Sequence, residues 1–349
     1  MTKAQEQNST YRLLRFVSKQ PIKFARFFAK GLAGLVNLLK ISKNNDALRL
    51  NLKIALPELS DERREVIAKQ AVRNELTTYF EFFSIWGSSN QKNIERVQKV
   101  HGEHLLHQAL AAQKGLVLIV PHFGTWEIMN SYVAQFTEMT IMYKPVKDPG
   151  ADLFVREARS REGAHLVPTD ESGVRQIFKA LKQGGTTVIL PDHTPKHGGE
   201  MIPYFGFPLA SSNLSAKLIQ KTKAKALLLY AIRNDDGFDM YIEEISESIY
   251  QGTANDGFDM YIEEISESIY QGTANDGTFV IHQAIEDLIR RHPEHYHWTY
   301  KRFKANPKLR ALYNLPFNEA VTRLEQLRME QQIQSTATTV ESDVVSSVQ

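Results

Sequence analysis

Two residues in this chain are well suited to moving a proton: His122 and Glu127, within Pro121-His122-Phe123-Gly124-Thr125-Trp126-Glu127. An imidazole can take a proton from a hydroxyl at neutral pH. A carboxylate bonded to its other nitrogen fixes the tautomer and stabilises the imidazolium as it forms. The two residues are five positions apart, which puts them on different faces of a regular helix. They meet only if the histidine sits on a loop and the carboxylate in the first turn of a helix, with Gly124 supplying the backbone freedom for the bend. Thr125 could cap that helix, and a first-turn Glu127 suits its dipole. The competing reading is a core histidine beside a helix-start glutamate.

Such a loop needs elements to hold it. Residues 115–120 are apolar after the opening glycine and predict a buried strand, and the apolar-periodic run to Phe136 predicts a helix. Further strands are expected over 140–145, 186–190 and 226–232, with helices over 173–182, 211–223 and 278–291. Strands alternating with helices give an α/β fold with helical flanks. Asp192-His193 follows the 186–190 strand, at the carboxyl end where open α/β sheets place their sites. No metal is expected. Pro195 interrupts any helical pairing of His193 with His197, and His292, His295 and His297 lack a companion carboxylate motif of zinc-site spacing.

Apolar residues make up 42% of the 349, so the chain is globular rather than disordered. It has no cysteine, which excludes disulfides, thiol nucleophiles and cysteine metal sites and fits a reducing compartment. The net charge is only +2, but residues 1–50 carry ten Lys/Arg against Glu6 and Asp46. That balance of +8 leaves −6 for the rest, so the basic start suits an anionic surface, either membrane or nucleic acid. Its longest uncharged run, Gly31 to Leu39, is nine residues, whereas a spanning helix needs roughly twenty. The expectation is an amphipathic segment over 1–50 lying in a membrane interface, with Lys and Arg at headgroup level. After it, Ser60 is placed to cap a helix that ends in Tyr79, Phe80, Phe82, Phe83 and Trp86. These aromatics read as core packing first and as an acyl-chain groove second.

The filling of the first motif is more specific than its two ends. His122-Phe123-Gly124-Thr125-Trp126-Glu127 resembles the HX4D/E motif of the lipid A late acyltransferases, within the wider group that includes glycerolipid acyltransferases. Tyr143-Lys144-Pro145 resembles the family's Tyr-Arg-Pro, with lysine in place of arginine. Arg159 and Arg161 match an arginine pair, Asp192-His193 an Asp-His pair, and Tyr204-Phe205-Gly206 an aromatic-Phe-Gly turn. Pro293-Glu294-His295-Tyr296-His297-Trp298, then Lys301-Arg302-Phe303-Lys304, resembles the C-terminal signature. The resemblance implies a glycerolipid-acyltransferase-like fold: a mixed, mostly parallel central sheet with flanking helices, plus N-terminal interfacial helices. The acyltransferase domain would span 51–332, with a disordered tail over 333–349. The resemblance further implies transfer of an acyl chain from an acyl carrier protein thioester to a 3-hydroxyacyl hydroxyl on a lipid A precursor. His122 and Glu127 would be catalytic, and Phe123, Gly124 and Trp126 would shape the motif loop. Lys144, Arg159, Arg161, Asp192, His193, Lys301 and Arg302 would bind substrate, arginine suiting phosphate because its planar fork bonds two oxygens. No cofactor and no nucleic acid is implied. The location would be the cytoplasmic face of the bacterial inner membrane, peripheral or monotopic. The competing functions are a glycerolipid acyltransferase using the same His/Glu device and a non-catalytic peripheral membrane binder.

One feature belongs to no motif. Residues 236–255 recur unchanged as 256–275. Solenoid repeats diverge and need about three copies, so two perfect copies read as a recent tandem duplication or an artefact of how the chain was made. The alternation Phe238, Met240, Ile242 predicts that the sheet uses one copy and that the other is an added hairpin strand or a bulging loop. No chemistry is assigned to the duplicate.

Overall fold

Leu116, Val117, Leu118 and Ile119 are each buried to 1% exposure or less, because their strand runs through a sheet covered on both faces. The computed structural model describes residues 8–38, 43–161, 163–195, 198–245, 269–270 and 272–330. Four helices open the chain: α1 (Ser9–Ser18), α2 (Ile22–Leu38), α3 (Lys43–Ala55) and α4 (Asp61–Gly87). Then follow α5 (Asn90–Ile94), β1 (Val97–His101), α6 (Glu103–Ala111), β2 (Leu116–Ile119) and α7 (Ile128–Val133). Next come β3 (Thr140–Met142), α8 (Pro149–Arg161), β4 (His165–Val167), α9 (Glu171–Lys182) and β5 (Thr186–Ile189). The chain continues through β6 (Glu200–Tyr204), β7 (Phe207–Ser211), α10 (Leu214–Thr222), β8 (Lys225–Arg233) and β9 (Phe238–Glu244). It closes with α11 (Ala274–Arg291), α12 (Pro307–Leu312) and a helix α13 over 317–330.

The main sheet has the order β1-β9-β8-β2-β5, parallel throughout except for the antiparallel β8–β9 pair. This is the expected α/β fold with a mixed, mostly parallel sheet. The parallel pair β3–β4 continues it beyond β5, through a bridge from Met139 to Thr186. Alternation along β2 divides the core. Val117 and Ile119 join the layer made with α3, α4, α10 and α11, while Leu116, Leu118 and Val120 join the layer made with α6 and α7. The register pairs Ile119 with Ile189, so the residues three beyond each, His122 and Asp192, emerge side by side at the sheet's carboxyl edge.

Ser60 caps α4 as expected, its side chain accepting from Arg63 N–H at 3.2 Å. Helix α2 is fixed to α4 by Ala29, Ala33 and Arg26, all buried. Arg26 donates from Nε to Glu81 at 2.6 Å, and Arg233 at the end of β8 donates to both oxygens of the same carboxylate at 2.7 Å. The outer faces of α1 and α2 leave Leu13, Phe16, Phe24, Phe27, Phe28, Leu32 and Leu35 exposed. Among the described residues no helix is long and apolar enough to cross a membrane.

The duplication is used in an unexpected phase. The head of the first copy forms β9, with Phe238, Met240 and Ile242 buried. The tail of the second copy then takes over. Ile269 is buried, the Tyr270 hydroxyl accepts from Ala226 N–H at 3.3 Å, and Thr273 caps α11 in a reciprocal box with Asp276. That box starts α11 at Ala274, four residues before the periodicity places it. The expected extra strand or bulging loop lies outside the described residues, as do His197 and the tail over 333–349.

Two outcomes follow from this packing. Deleting residues 246–265 joins the two used halves into one copy and removes five acids, raising the net charge from +2 to +7. The thermal midpoint should move by less than about 5 °C, and a larger fall would give the second copy a share in the fold. Glu81→Gln leaves two buried guanidiniums on a neutral amide and should cost roughly 3–5 kcal/mol in urea unfolding. A cost below about 1 kcal/mol would remove this cluster as the anchor of α2.

Candidate active site

The loop after β2 is stitched in place along both edges. Gly124 N–H donates to His295 O at 2.8 Å, His297 N–H to His122 O at 3.2 Å, and Phe123 forms a bridge with Tyr296. The C-terminal signature is therefore the loop's backbone partner. Gly124 has φ 55°, and a Cβ there would sit 2.0 Å from Ala231 O, so no side chain fits.

His122 is held at several points. Its ring Nδ1–H donates to Asp192 Oδ1 at 2.8 Å, and its backbone N–H to Oδ2 at 3.0 Å. Asp192 is fully buried. Burial alone would push its carboxyl up; the His122 ring and N–H outweigh that and hold it well below the usual carboxylate range. His193 lies flat on the His122 ring, centroids 3.5 Å apart and planes within 2°, and Tyr300 backs it at 3.7 Å. Trp126 meets the His122 ring edge-on at 5.1 Å. Only Nε2 is left to face the cleft. His122, Asp192 and His193 offer atoms within 4.8 Å of one another. Two parallel stacked imidazoles send their lone pairs side by side rather than to one point, and Nδ1 of His122 is already committed, so the set is a poor fit to a metal.

The bond expected between His122 and Glu127 is therefore replaced. The sheet register delivers Asp192 to Nδ1, and Glu127 is engaged elsewhere. Its buried carboxylate accepts from Trp86 Nε1–H at 2.8 Å and Arg159 Nη2–H at 3.0 Å. Glu127 itself occupies the N-cap position of α7. Thr125 is not the cap: its hydroxyl donates to Glu81 at 2.6 Å, inside the cluster with Arg26 and Arg233.

The basic residues separate into two groups. Arg159 lies 5.4 Å over the Tyr143 ring, with a buried Nε that meets no partner among the described residues. Lys144 is exposed. Arg161, two positions on and so on another face of α8, donates to Trp86 O. Arg302 departs from the phosphate role expected of it. It is 2% exposed and spends its guanidinium on Ala210 O and Ser211 Oγ of β7. Lys301 rests its ammonium 5.4 Å from the Tyr313 ring centre. Asp192, expected to bind substrate, instead faces His122, and no open path leads to it.

The sequence reading missed a second histidine–carboxylate pair. His297 Nε2 lies 2.6 Å from Glu75 Oε1 and 2.7 Å from the Tyr79 hydroxyl. Glu75, Tyr79, His122, Gly124, Trp126 and His297 line one narrow cleft, with room for about one water molecule. A signal was present: Glu75, Thr78, Tyr79, Phe82 and Trp86 recur at helical spacing along one face of α4. The aromatic part of that stripe is core at Phe82, as expected, and reaches the surface at Tyr79. Phe82 is core and packs on Trp126 at 4.7 Å, while Tyr79 is 42% exposed in the cleft.

A model of the bacterial lipid A biosynthesis acyltransferases matches residues 10–305. The chain belongs to this family. It is 24% identical over 300 residues to a lipid A biosynthesis acyltransferase of Haemophilus influenzae, covering 84% of this chain and 89% of that one. It is 22% identical over 271 residues to a lipid A biosynthesis palmitoleoyltransferase of Escherichia coli, covering 76% and 81% respectively. A lipid A biosynthesis acyltransferase 2 of Shigella flexneri is 23% identical over 262 residues, covering 73% and 76%. Family membership supports an O-acyltransferase that places an acyl chain on lipid A.

In this family member the state of His193 is open to a direct check. Burial first, then the neighbouring His122 ring, push it down to about 3. Imidazole ¹⁵N spectra should show it neutral from pH 8 to pH 5; protonation near pH 6 would contradict the stack. Because the folded value lies below the unfolded one, the unfolded chain holds the extra proton, and stability falls as pH drops from about 6.5 towards 3. His193→Phe should remove its own share of that slope, up to about 1.4 kcal/mol per pH unit, and leave the shares of His282 and His295, which burial likewise pushes down to about 3.

Proposed function

We propose that this lipid A acyltransferase moves an acyl chain from an acyl carrier protein thioester to the hydroxyl of a 3-hydroxyacyl chain on a lipid A precursor. The observation that carries the reading is the presentation of His122, clamped on its ring face and at Nδ1, with Nε2 left towards the cleft. In the proposed step His122 Nε2 takes the hydroxyl proton as the oxygen attacks the thioester carbonyl. Asp192 holds the tautomer that leaves Nε2 unprotonated and stabilises the imidazolium. The proton then passes to the departing thiolate. Glu127 takes a different part from the one its spacing suggests: its carboxylate aims Arg159, whose guanidinium suits a substrate phosphate. No acyl-enzyme is required.

The exposed apolar faces of α1 and α2, flanked by Arg12, Lys19, Lys23 and Lys30, support a peripheral position on an anionic membrane surface. In this proposal that surface is the cytoplasmic face of the inner membrane, and residues 1–50 are the contacting segment.

The test is a transfer assay offering acyl carrier protein thioesters with either a lipid A precursor or lysophosphatidate. Transfer to the lipid A precursor is expected; transfer to lysophosphatidate alone would move the chain to glycerolipid chemistry. His122→Ala and Asp192→Asn should each lower kcat by about 10³–10⁴-fold, and Glu127→Ala should lose most turnover with the fold intact. Arg159→Ala should mainly raise the KM of a phosphate-bearing substrate. Full activity in Asp192→Asn would reduce that pair to a structural contact.

A further inference from the structure

The attack on a thioester puts negative charge on the carbonyl oxygen, and the strongest help a protein gives is a fixed donor at that place. The proposed function names the base and leaves this donor unassigned. Three backbone N–H groups of the motif loop are already committed: Gly124 N–H to His295 O, Phe123 N–H to Pro121 O, and His122 N–H to Asp192.

The second histidine pair settles where a free donor lies. Glu75 is an acceptor at 2.6 Å from His297 Nε2, and a carboxylate that close to a bare ring lone pair would be repelled, so the proton sits on Nε2. The same carboxylate also accepts from the hydroxyl and the backbone N–H of Thr299. The Tyr79 oxygen, 2.7 Å from that N–H, is therefore an acceptor in this contact. Its own O–H hydrogen is not consumed by His297 and can turn into the cleft shared with His122 and Trp126. The His122 and His297 ring centres are 6.3 Å apart. That places the two histidines, and the Tyr79 hydroxyl bonded to the second of them, around one shared space.

We infer that Tyr79 is the oxyanion donor of the acyl transfer, with Glu75 and His297 as positioning residues that keep its O–H pointed at the reacting carbonyl. The inference rests on the proposed thioester reaction. The acceptor oxygen forms its bond to the carbonyl carbon, its proton goes to His122 Nε2, and the π pair moves onto the carbonyl oxygen, which accepts from Tyr79 O–H. When that pair returns, the C–S bond breaks, the sulfur leaves with its electrons, and His122 returns the proton to it. Tyr79 keeps its own proton throughout. Partial burial, then the Glu75 charge, push its phenol up to about 12, which suits a donor that must stay neutral.

The experiment is steady-state kinetics of the full chain with the lipid A precursor and an acyl carrier protein thioester, over pH 6–9. Tyr79→Phe removes one hydroxyl from a half-exposed ring and should fold with an unchanged thermal midpoint. Its kcat should fall about 10²–10³-fold, with KM within about twofold and the pH profile unmoved. Glu75→Gln removes the charge that keeps the proton on His297 Nε2, so the proton can move to Nδ1 and Nε2 then accepts the Tyr79 O–H, drawing it away from the cleft. It should lose a similar factor, and the double variant should be no slower than Tyr79→Phe, as for residues that act through one atom. A kcat within twofold of wild type in Tyr79→Phe would overturn the assignment, and so would a raised KM with kcat unchanged. Additive losses in the double variant would detach Glu75 and His297 from it. Loss of activity in Tyr79→Phe alongside full activity in His122→Ala would sink the proposed base while leaving the donor standing.

Discussion

A single carboxylate with no exposure, that of Glu81, holds this molecule's working parts together. It receives two guanidiniums and a hydroxyl, from Arg26 on α2, Arg233 on β8 and Thr125 in the motif loop. A lone buried carboxylate would be driven to its neutral form; here the positive neighbours outweigh burial and keep it ionised. Such a cluster is a weak source of net stability, because desolvating the charges costs nearly what their attraction returns. Its value lies in geometry. Four segments distant in sequence can satisfy one another in only one arrangement, and the loop that carries His122 is among them.

The site divides its acids by burial and by partner. Asp192 sits beneath the imidazole, sealed from the cleft, and acts on it through both the ring and the backbone N–H. Glu127 lies across the loop, neutralised by Arg159 and bonded by Trp86. Glu75 serves a second imidazole. The three carboxylates thus have separate addressees, which keeps like charges apart in a small, partly dry space.

Much of the scaffold was legible in the sequence. The unbroken apolar run of β2 has one reading in an alternating α/β pattern, and the glycine of the loop had one use. The identity of the imidazole's partner was not legible, and the reason is physical. Local spacing presents Glu127 as the nearest acid, whereas Asp192 arrives from seventy residues away through the parallel register of β2 on β5. No composition or period encodes that pairing. Arg302 misled for a related reason: a cation in a signature run reads as a surface ligand until its neighbours show that β7 encloses it. The phase of the duplication was hidden too, since two identical copies carry no local signal to say which half of each the sheet takes.

The rigid attachment of α2 has a consequence for how such an enzyme would meet its substrate. Phe24, Phe27 and Phe28 stand exposed on the same helix whose Arg26 is locked to Glu81, so a bilayer gripping those rings would fix the height and tilt of the cleft above it. The search for an acceptor lipid then becomes two-dimensional. Encounter would follow lateral diffusion and the mole fraction of acceptor in the leaflet rather than its bulk concentration, and diluting the acceptor with inert lipid would slow the reaction even where every molecule of protein remains bound.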